Sequence, residues 1–182
     1  MSAVQVSADF WSGGVSESKT ISINTLVVAG WTGRDADALE KHIRELEELG
    51  VARPASVPIF YRNSAARLTT SPMIEVTGGD SSGEVEFVLL QCEGKLWVGL
   101  GSDHTDRKVE TYNVTASKQM CEKPIAATFW AYEDVSSHWD RLILRSYIEE
   151  RGERVLYQEG PVTAMRAPDD LIHRYTGGTS LP

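Results

Sequence analysis

At 182 residues, with 41% hydrophobic and 24% charged side chains, the chain can bury one core without staples and is not compositionally disordered. Its net charge of −8, without any basic cluster, excludes a phosphate-contacting nucleic-acid surface. No stretch reaches the roughly 18 apolar residues that a membrane-spanning helix needs. Cys92 and Cys121 lack the CxxC spacing of a thiolate metal site. The opening MSAVQVSADFWSGG has neither a basic start nor an apolar leader, so the expected location is the cytoplasm, with reduced cysteines.

In chain order, residues 1–20 are small and polar, with Gly13-Gly14 and five serines among them, and read as a loose lead-in or in part a strand. Ile21 to Val28 is β-branched and apolar, which predicts a strand running into a turn at Ala29-Gly30-Trp31-Thr32-Gly33. Asp35 to Leu49 is the clearest helix. Asp37 and Glu40 fit a capping box, Gly50 supplies the stop, and Leu39, Ile43, Leu46 and Leu49 make one apolar stripe. Strands are expected at Val57 to Tyr61, 72–78, 84–92, 95–100 and 109–116, with Glu93-Gly94 turning a hairpin between the third and fourth. Ser136 to Arg151 mixes helix and strand signals, Gly152 and Gly160 punctuate a hairpin, and Pro168 to Tyr175 reads as a final helix. Many strands and few helices predict a β-rich α+β domain spanning residues 21–182.

The acids Glu84 and Glu86 stand at the start of a strand, so their side chains share one face, about 7 Å apart at Cα. Phe87-Val88-Leu89-Leu90 then carries the strand into the core. Asp103 follows the next strand, and a hairpin returns it beside the first. Three converging oxygen ligands suit Mg2+, Mn2+ or Ca2+, and open positions for water and substrate suit catalysis. The same Glu-x-Glu pattern also fits a solvated strand edge. On the helix, His42 and Glu45 are three residues apart and can meet, as a carboxylate-oriented general base does. A packing histidine beside a surface acid fits that spacing too. Lys118 and Arg62 are candidates for holding a substrate carboxylate.

Taken in order, five segments resemble the fumarylacetoacetate hydrolase superfamily, over roughly residues 24–135. Gly83-Glu84-Val85-Glu86 looks like its Glu-x-Glu metal pair. Gly101-Ser102-Asp103-His104-Thr105-Asp106-Arg107 looks like its N-D-x-[ST]-x-R loop, with Ser102 replacing Asn. Ser117-Lys118-Gln119-Met120-Cys121-Glu122-Lys123-Pro124 is similar to its K-S-x-D-x-x-x-P stretch. His42-Ile43-Arg44-Glu45-Leu46 resembles the lid helix H-x-x-E-[ML] of the acylpyruvase and oxaloacetate decarboxylase branch, and Val57-Pro58-Ile59-Phe60-Tyr61-Arg62-Asn63-Ser64 its P-x-[LF]-F-x-K-P-S.

The resemblance implies a fumarylacetoacetase-like mixed β-roll, a homodimer, and Mg2+ held by Glu84, Glu86 and Asp103. It further implies His42, Glu45 and Lys118 in catalysis, and Arg62, Ser64 and Arg107 in substrate binding. The implied reaction is hydrolysis of a C–C bond in a small 2-oxo or diketo acid. Alternatives within the same fold are a decarboxylase, isomerase or sugar-acid dehydratase, and outside enzymes a binding protein that retains the pocket. The family's closing G-D-x-[IV]-x-T-G-T-P-x-G segment has no counterpart before Ser180-Leu181-Pro182, so a domain lacking that end is expected.

Overall fold

A computed structural model describes residues 3–50 and 52–182. The chain opens on a hairpin of β1 (Val4–Ser12) and β2 (Val15–Ile23). Next come β3 (Leu26–Gly30), α1 (Ala36–Glu48), β4 (Ile59–Asn63), β5 (Leu68–Thr69) and β6 (Ser81–Ser82). The central segment holds β7 (Val85–Cys92), β8 (Lys95–Ser102), β9 (Thr105–Asp106), α2 (Arg107–Glu110), α3 (Val114–Met120), β10 (Lys123–Pro124) and β11 (Thr128–Ala131). It closes with α4 (Tyr132–Val135), the hairpin β12 (Ile143–Glu150) and β13 (Glu153–Pro161), and α5 (Pro168–Thr176).

The main sheet has the order β2-β1-β11-β8-β7. It is mixed, because β1 and β11 run parallel and the other neighbours antiparallel. Four two-stranded sheets, β3-β4, β5-β10, β6-β9 and β12-β13, surround it. The domain is therefore α+β and strand-rich, as the element pattern predicts.

Alternation along β7 and β8 explains why these strands are apolar on both faces. Val88, Leu90 and Trp97 belong to a core with Val6, Ala8, Phe10 and Phe129. Phe87, Leu89 and Val98 belong to a second core with Trp139, Leu144 and Val162. Phe129 is fully buried, stacks on Phe10 at 5.6 Å between ring centres, and fits only because Gly99 opposite lacks a side chain. A Cβ on Gly99 would lie 2.8 Å from the Phe129 ring. Truncating Phe129 to alanine leaves a cavity that these neighbours cannot close. The expected loss is about 3–5 kcal/mol of unfolding free energy, measured by urea titration. A loss below about 1 kcal/mol would mean this core repacks.

Several expectations need correction. Residues 1–20 are not a loose lead-in: among the described ones, Val6, Ala8 and Phe10 of β1 alternate into the core. The expected strand from Ile21 to Val28 is two strands, broken at Asn24-Thr25. No strand forms over 72–78, where Met73 and Val76 are exposed and no neighbouring strand pairs with them. Residues 109–116 hold the end of α2, a turn at 111–113 and the start of α3, because Asp106 and Asn113 cap these helices by accepting from Val109 N and Ala116 N. The cap of α1 is Asp35, which accepts from Asp37 N and Ala38 N; Glu40 binds Arg44 and Arg53 instead of closing a capping box. On that helix only Ile43 is buried, while Leu49 is 70% exposed. Ser136 to Arg151 resolves into a 3-10 turn and β12.

Candidate metal centre

The β7–β8 hairpin turns through Glu93-Gly94, both at positive φ, a two-residue geometry that suits the twist of antiparallel strands. Its register puts Glu86 opposite Gly101 and Val85 opposite Ser102. Asp103 then falls beside Glu84 and donates its backbone N–H to the Glu84 carbonyl at 3.0 Å. One ligand oxygen from each of Glu84, Glu86 and Asp103 lies within 4.8 Å of the others. The loop carrying Asp103 is held by β6-β9 pairing, by Thr105 Oγ1 donating to Asp103 O at 3.1 Å, and by Arg107 N donating to Asp80 O at 2.9 Å.

Three cations stand against these acids. Lys118, buried on α3, donates to Asp103 Oδ2 and lies 3.9 Å from Glu84. Lys123, buried on β10, is 3.1 Å from Asp103 Oδ1 and donates to the His104 carbonyl. Arg107 contacts Glu84 at 2.6 Å, Ser82 Oγ at 2.6 Å and Glu110 at 3.1 Å. Charge is thus matched without an added ion, although coordination is not. Asp103 Oδ1 is buried and accepts no hydrogen bond, since Lys123 approaches it outside hydrogen-bonding geometry. The Glu86 side chain has no hydrogen bond or ion pair among the described residues.

The electrostatics follow from that geometry. Loss of water, with Asp103 and Glu84 adding repulsion, pushes the Glu86 carboxyl up to about 8, against the pull of Lys118 and Lys123. Burial pulls Lys118 down, but Asp103 and Glu84 outweigh it and its ammonium ends above the ordinary lysine value. For Lys123, burial outweighs Asp103 and leaves it below that value. His104 is held below the ordinary imidazole value by burial and by the Lys123 and Arg107 charges. The Glu86 carboxyl and Asp103 Oδ1, which accept no hydrogen bond from the described residues, in an all-oxygen set, fit a hard divalent cation.

Glu86 and Asp103, with Lys123, also line one end of a cavity of about 510 Å³. Lys118 and Arg107 join the cluster through their ion pairs with Asp103 and Glu84. Lys123 escapes sequence reading, although the buried alternation Cys121, Lys123, Ile125 is a period-2 signal that turns it inward.

Other candidates lie elsewhere. His42 Nδ1 and Glu45 Oε2 do approach each other, at 3.9 Å, but their side chains are 59% and 55% exposed and neither lines the cavity. His42 packs near Trp31, with ring centres 5.9 Å apart. Arg62 sits on the exposed side of β4, donating to Asn24 O at 3.4 Å. Its neighbour Tyr61 turns inward, and its ring centre lies 5.8 Å from Lys118 Nζ. Ser64 caps the turn Ala65–Arg67 and donates its backbone N–H to Gln119. His104 is not one of the converging ligands and lies 3.4 Å from Ser102 Oγ.

Fold and site define a strand-rich α+β domain with a three-carboxylate cluster flanked by buried lysines at the end of a cavity. The chain belongs to the family described as Protein of unknown function (DUF2848), whose match spans residues 29–182 and so includes every residue of the cluster. No curated protein and no solved structure matches the chain.

Proposed function

We propose that this protein is a divalent-metal-dependent hydrolase of the fumarylacetoacetate hydrolase type, acting on a small 2-oxo or diketo carboxylic acid such as an acylpyruvate. The supporting observation is the Glu86 carboxyl and the single oxygen Asp103 Oδ1, neither of which accepts a hydrogen bond from the described residues, beside Glu84 at a cavity. In this reading Glu84, Glu86 and Asp103 hold Mg2+, or Mn2+ or Ca2+. The bound cation supplies Lewis-acid stabilisation of charge on the substrate's 2-oxo and carboxylate oxygens.

The chain's own residues do the rest. Lys118 and Lys123 neutralise substrate oxygens from the buried side. Arg107 holds Glu84 in place. His42, oriented by Glu45, takes a proton from water, and the water oxygen adds to the acyl carbonyl carbon. The C–C bond breaks toward the 2-oxo side, and the carbon released there takes up the proton. His42 lies outside the cavity, so this role requires α1 to close over its mouth with substrate.

Calorimetry with Mg2+ and oxalate tests the metal reading. A saturable Mg2+ isotherm, tightened by oxalate and lost in Glu84→Gln, is the expected result. No heat with Mg2+, Mn2+ or Ca2+ would overturn it. A panel of acylpyruvates, oxaloacetate and 3-deoxy-2-oxo sugar acids then separates hydrolase from lyase. In His42→Ala, hydrolysis should slow by about 100- to 10,000-fold with metal binding retained; an unchanged rate would remove His42 from the mechanism.

One observation favours a second reading, an ion network that only stabilises the fold. Lys118 is bonded to Asp103 and Arg107 to Glu84, so two acids already have cationic partners. A protein that binds neither metal nor oxalate yet depends on these pairs for stability would be that network.

A further inference from the structure

The cavity, of about 510 Å³, is larger than a three-carbon oxo acid requires, and its walls combine charged and apolar side chains. The main sheet curls so that its two edge strands face one space. Lys19 of β2 reaches Glu93, in the turn after β7, at 2.7 Å. Ile21 and Ile23 of β2, Val88 and Leu90 of β7, and Leu68 pack partly buried around Phe129 and line the same cavity. Glu86, Asp103 and Lys123 stand where β7 begins and Glu93 where it ends, and Phe60 and Tyr175, whose rings lie 5.1 Å apart, line the same cavity. Charged groups beside apolar walls that Thr20, Ser22 and Gln91 interrupt, in a volume of about 510 Å³, are complementary to an amphipathic acid. Water in such an interior has few polar partners, so apolar groups displace it favourably.

We infer that the ligand of this site carries an unbranched or lightly branched apolar chain of about six to ten carbons. Its acid head lies at Glu86, Asp103 and Lys123, and its tail runs between the edge strands over Phe129. A methylene takes about the volume of a liquid water molecule, roughly 30 Å³, so a chain of that length, at about 180–300 Å³, fits together with its head inside the cavity of about 510 Å³. This inference rests on the metal-dependent reading for the head group, while the tail site stands on the cavity walls.

Calorimetry on the intact wild-type chain tests both separately, with Mg2+ and unbranched 2-oxo acids from pyruvate to 2-oxodecanoate, and with decanoate with and without Mg2+. Affinity should tighten about fourfold for each added methylene until the cavity is full, the increment expected for burying one methylene. Ile23→Trp, which fills part of the cavity, should move the plateau to shorter chains. Chain-length-independent binding with Mg2+ bound would overturn the tail site and leave the metal reading standing. Equal binding of decanoate and 2-oxodecanoate, indifferent to Mg2+, would keep the tail site and overturn the metal reading. No binding of any acid, or a dimer that forms through the cavity and excludes them, overturns the inference. If Ile23→Trp does not fold, the wild-type series decides alone.

Discussion

Replacing Asp103 by alanine should lower the melting temperature by on the order of 10 °C and remove Mg2+ binding. Asp103 is only 4% exposed, and it is the shared counter-ion of Lys118 and Lys123, themselves 5% and 3% exposed. An alanine leaves both ammonium groups desolvated. Lys118 then has only Glu84, 3.9 Å away, and Lys123 no carboxylate partner among the described residues. Breaking a buried pair from one side costs about 3–5 kcal/mol. In a domain of this size each kcal/mol moves the melting temperature by about 2–4 °C. Asp103→Asn keeps volume and removes charge, so it should fall between wild type and alanine. Thermal unfolding with chelator present reads the pair; an Mg2+ titration of the asparagine variant reads the ligand. An unshifted melting temperature in Asp103→Ala would show that the lysines are solvated or neutral.

The hairpin that brings Asp103 to Glu84 was legible because its causes are local. Glu93-Gly94 sets a two-residue turn, the turn sets the register, and the register puts the residue after β8 beside the residue before β7. The helix from Asp35 was legible for the same reason, although its cap, Asp35, lies two residues before Asp37. The N-terminal hairpin was misread because composition outweighed periodicity. Serine, glycine and glutamate suggest a loose segment, yet Val6, Ala8 and Phe10 alternate with Ser7 and Asp9 as a strand with one buried face does. Over 109–116, Val and Thr favour strand, but Asp106 and Asn113 offer side-chain acceptors to the first free N–H groups, and the caps win.

The site was legible only in part. Carboxylate spacing on a strand carries its own geometry; the lysines do not, because α3 and β10 reach the acids through tertiary packing. Lys123 belongs to a two-residue strand paired with Leu68–Thr69, a contact across more than fifty positions of sequence that no local pattern encodes. His42 illustrates the converse. Its pairing with Glu45 was readable from helix geometry, but the direction that helix faces depends on what it packs against, and Trp31 and Ile43 hold it outside the cavity.

Glu86 yields the second large effect, through pH. Its folded-state carboxyl sits at about 8 against an ordinary 4.5, so the folded protein holds this proton more tightly than the unfolded chain. The sign follows: Glu86 costs nothing below its ordinary value, and stability is lost as pH rises from there through about 8. The groups that face it act in both directions, Asp103 and Glu84 raising its value and Lys118 and Lys123 lowering it. His104 opposes the trend. Its depressed value contributes stability above its ordinary value, 6.5, which is lost as pH falls. A pH–stability curve of the wild type alone therefore mixes two slopes, and Glu86→Gln separates them by deleting one. With chelator present, the wild type should lose stability relative to Glu86→Gln between about pH 5 and pH 8, by up to a few kcal/mol. Denaturant unfolding of the two proteins at matched pH measures that difference directly. Parallel curves would mean Glu86 is already ionised in the metal-free protein, with a cationic neighbour closer than the 3.9 Å that separates Lys118 from Glu84, and the gap at the centre of the cluster would then be a salt bridge.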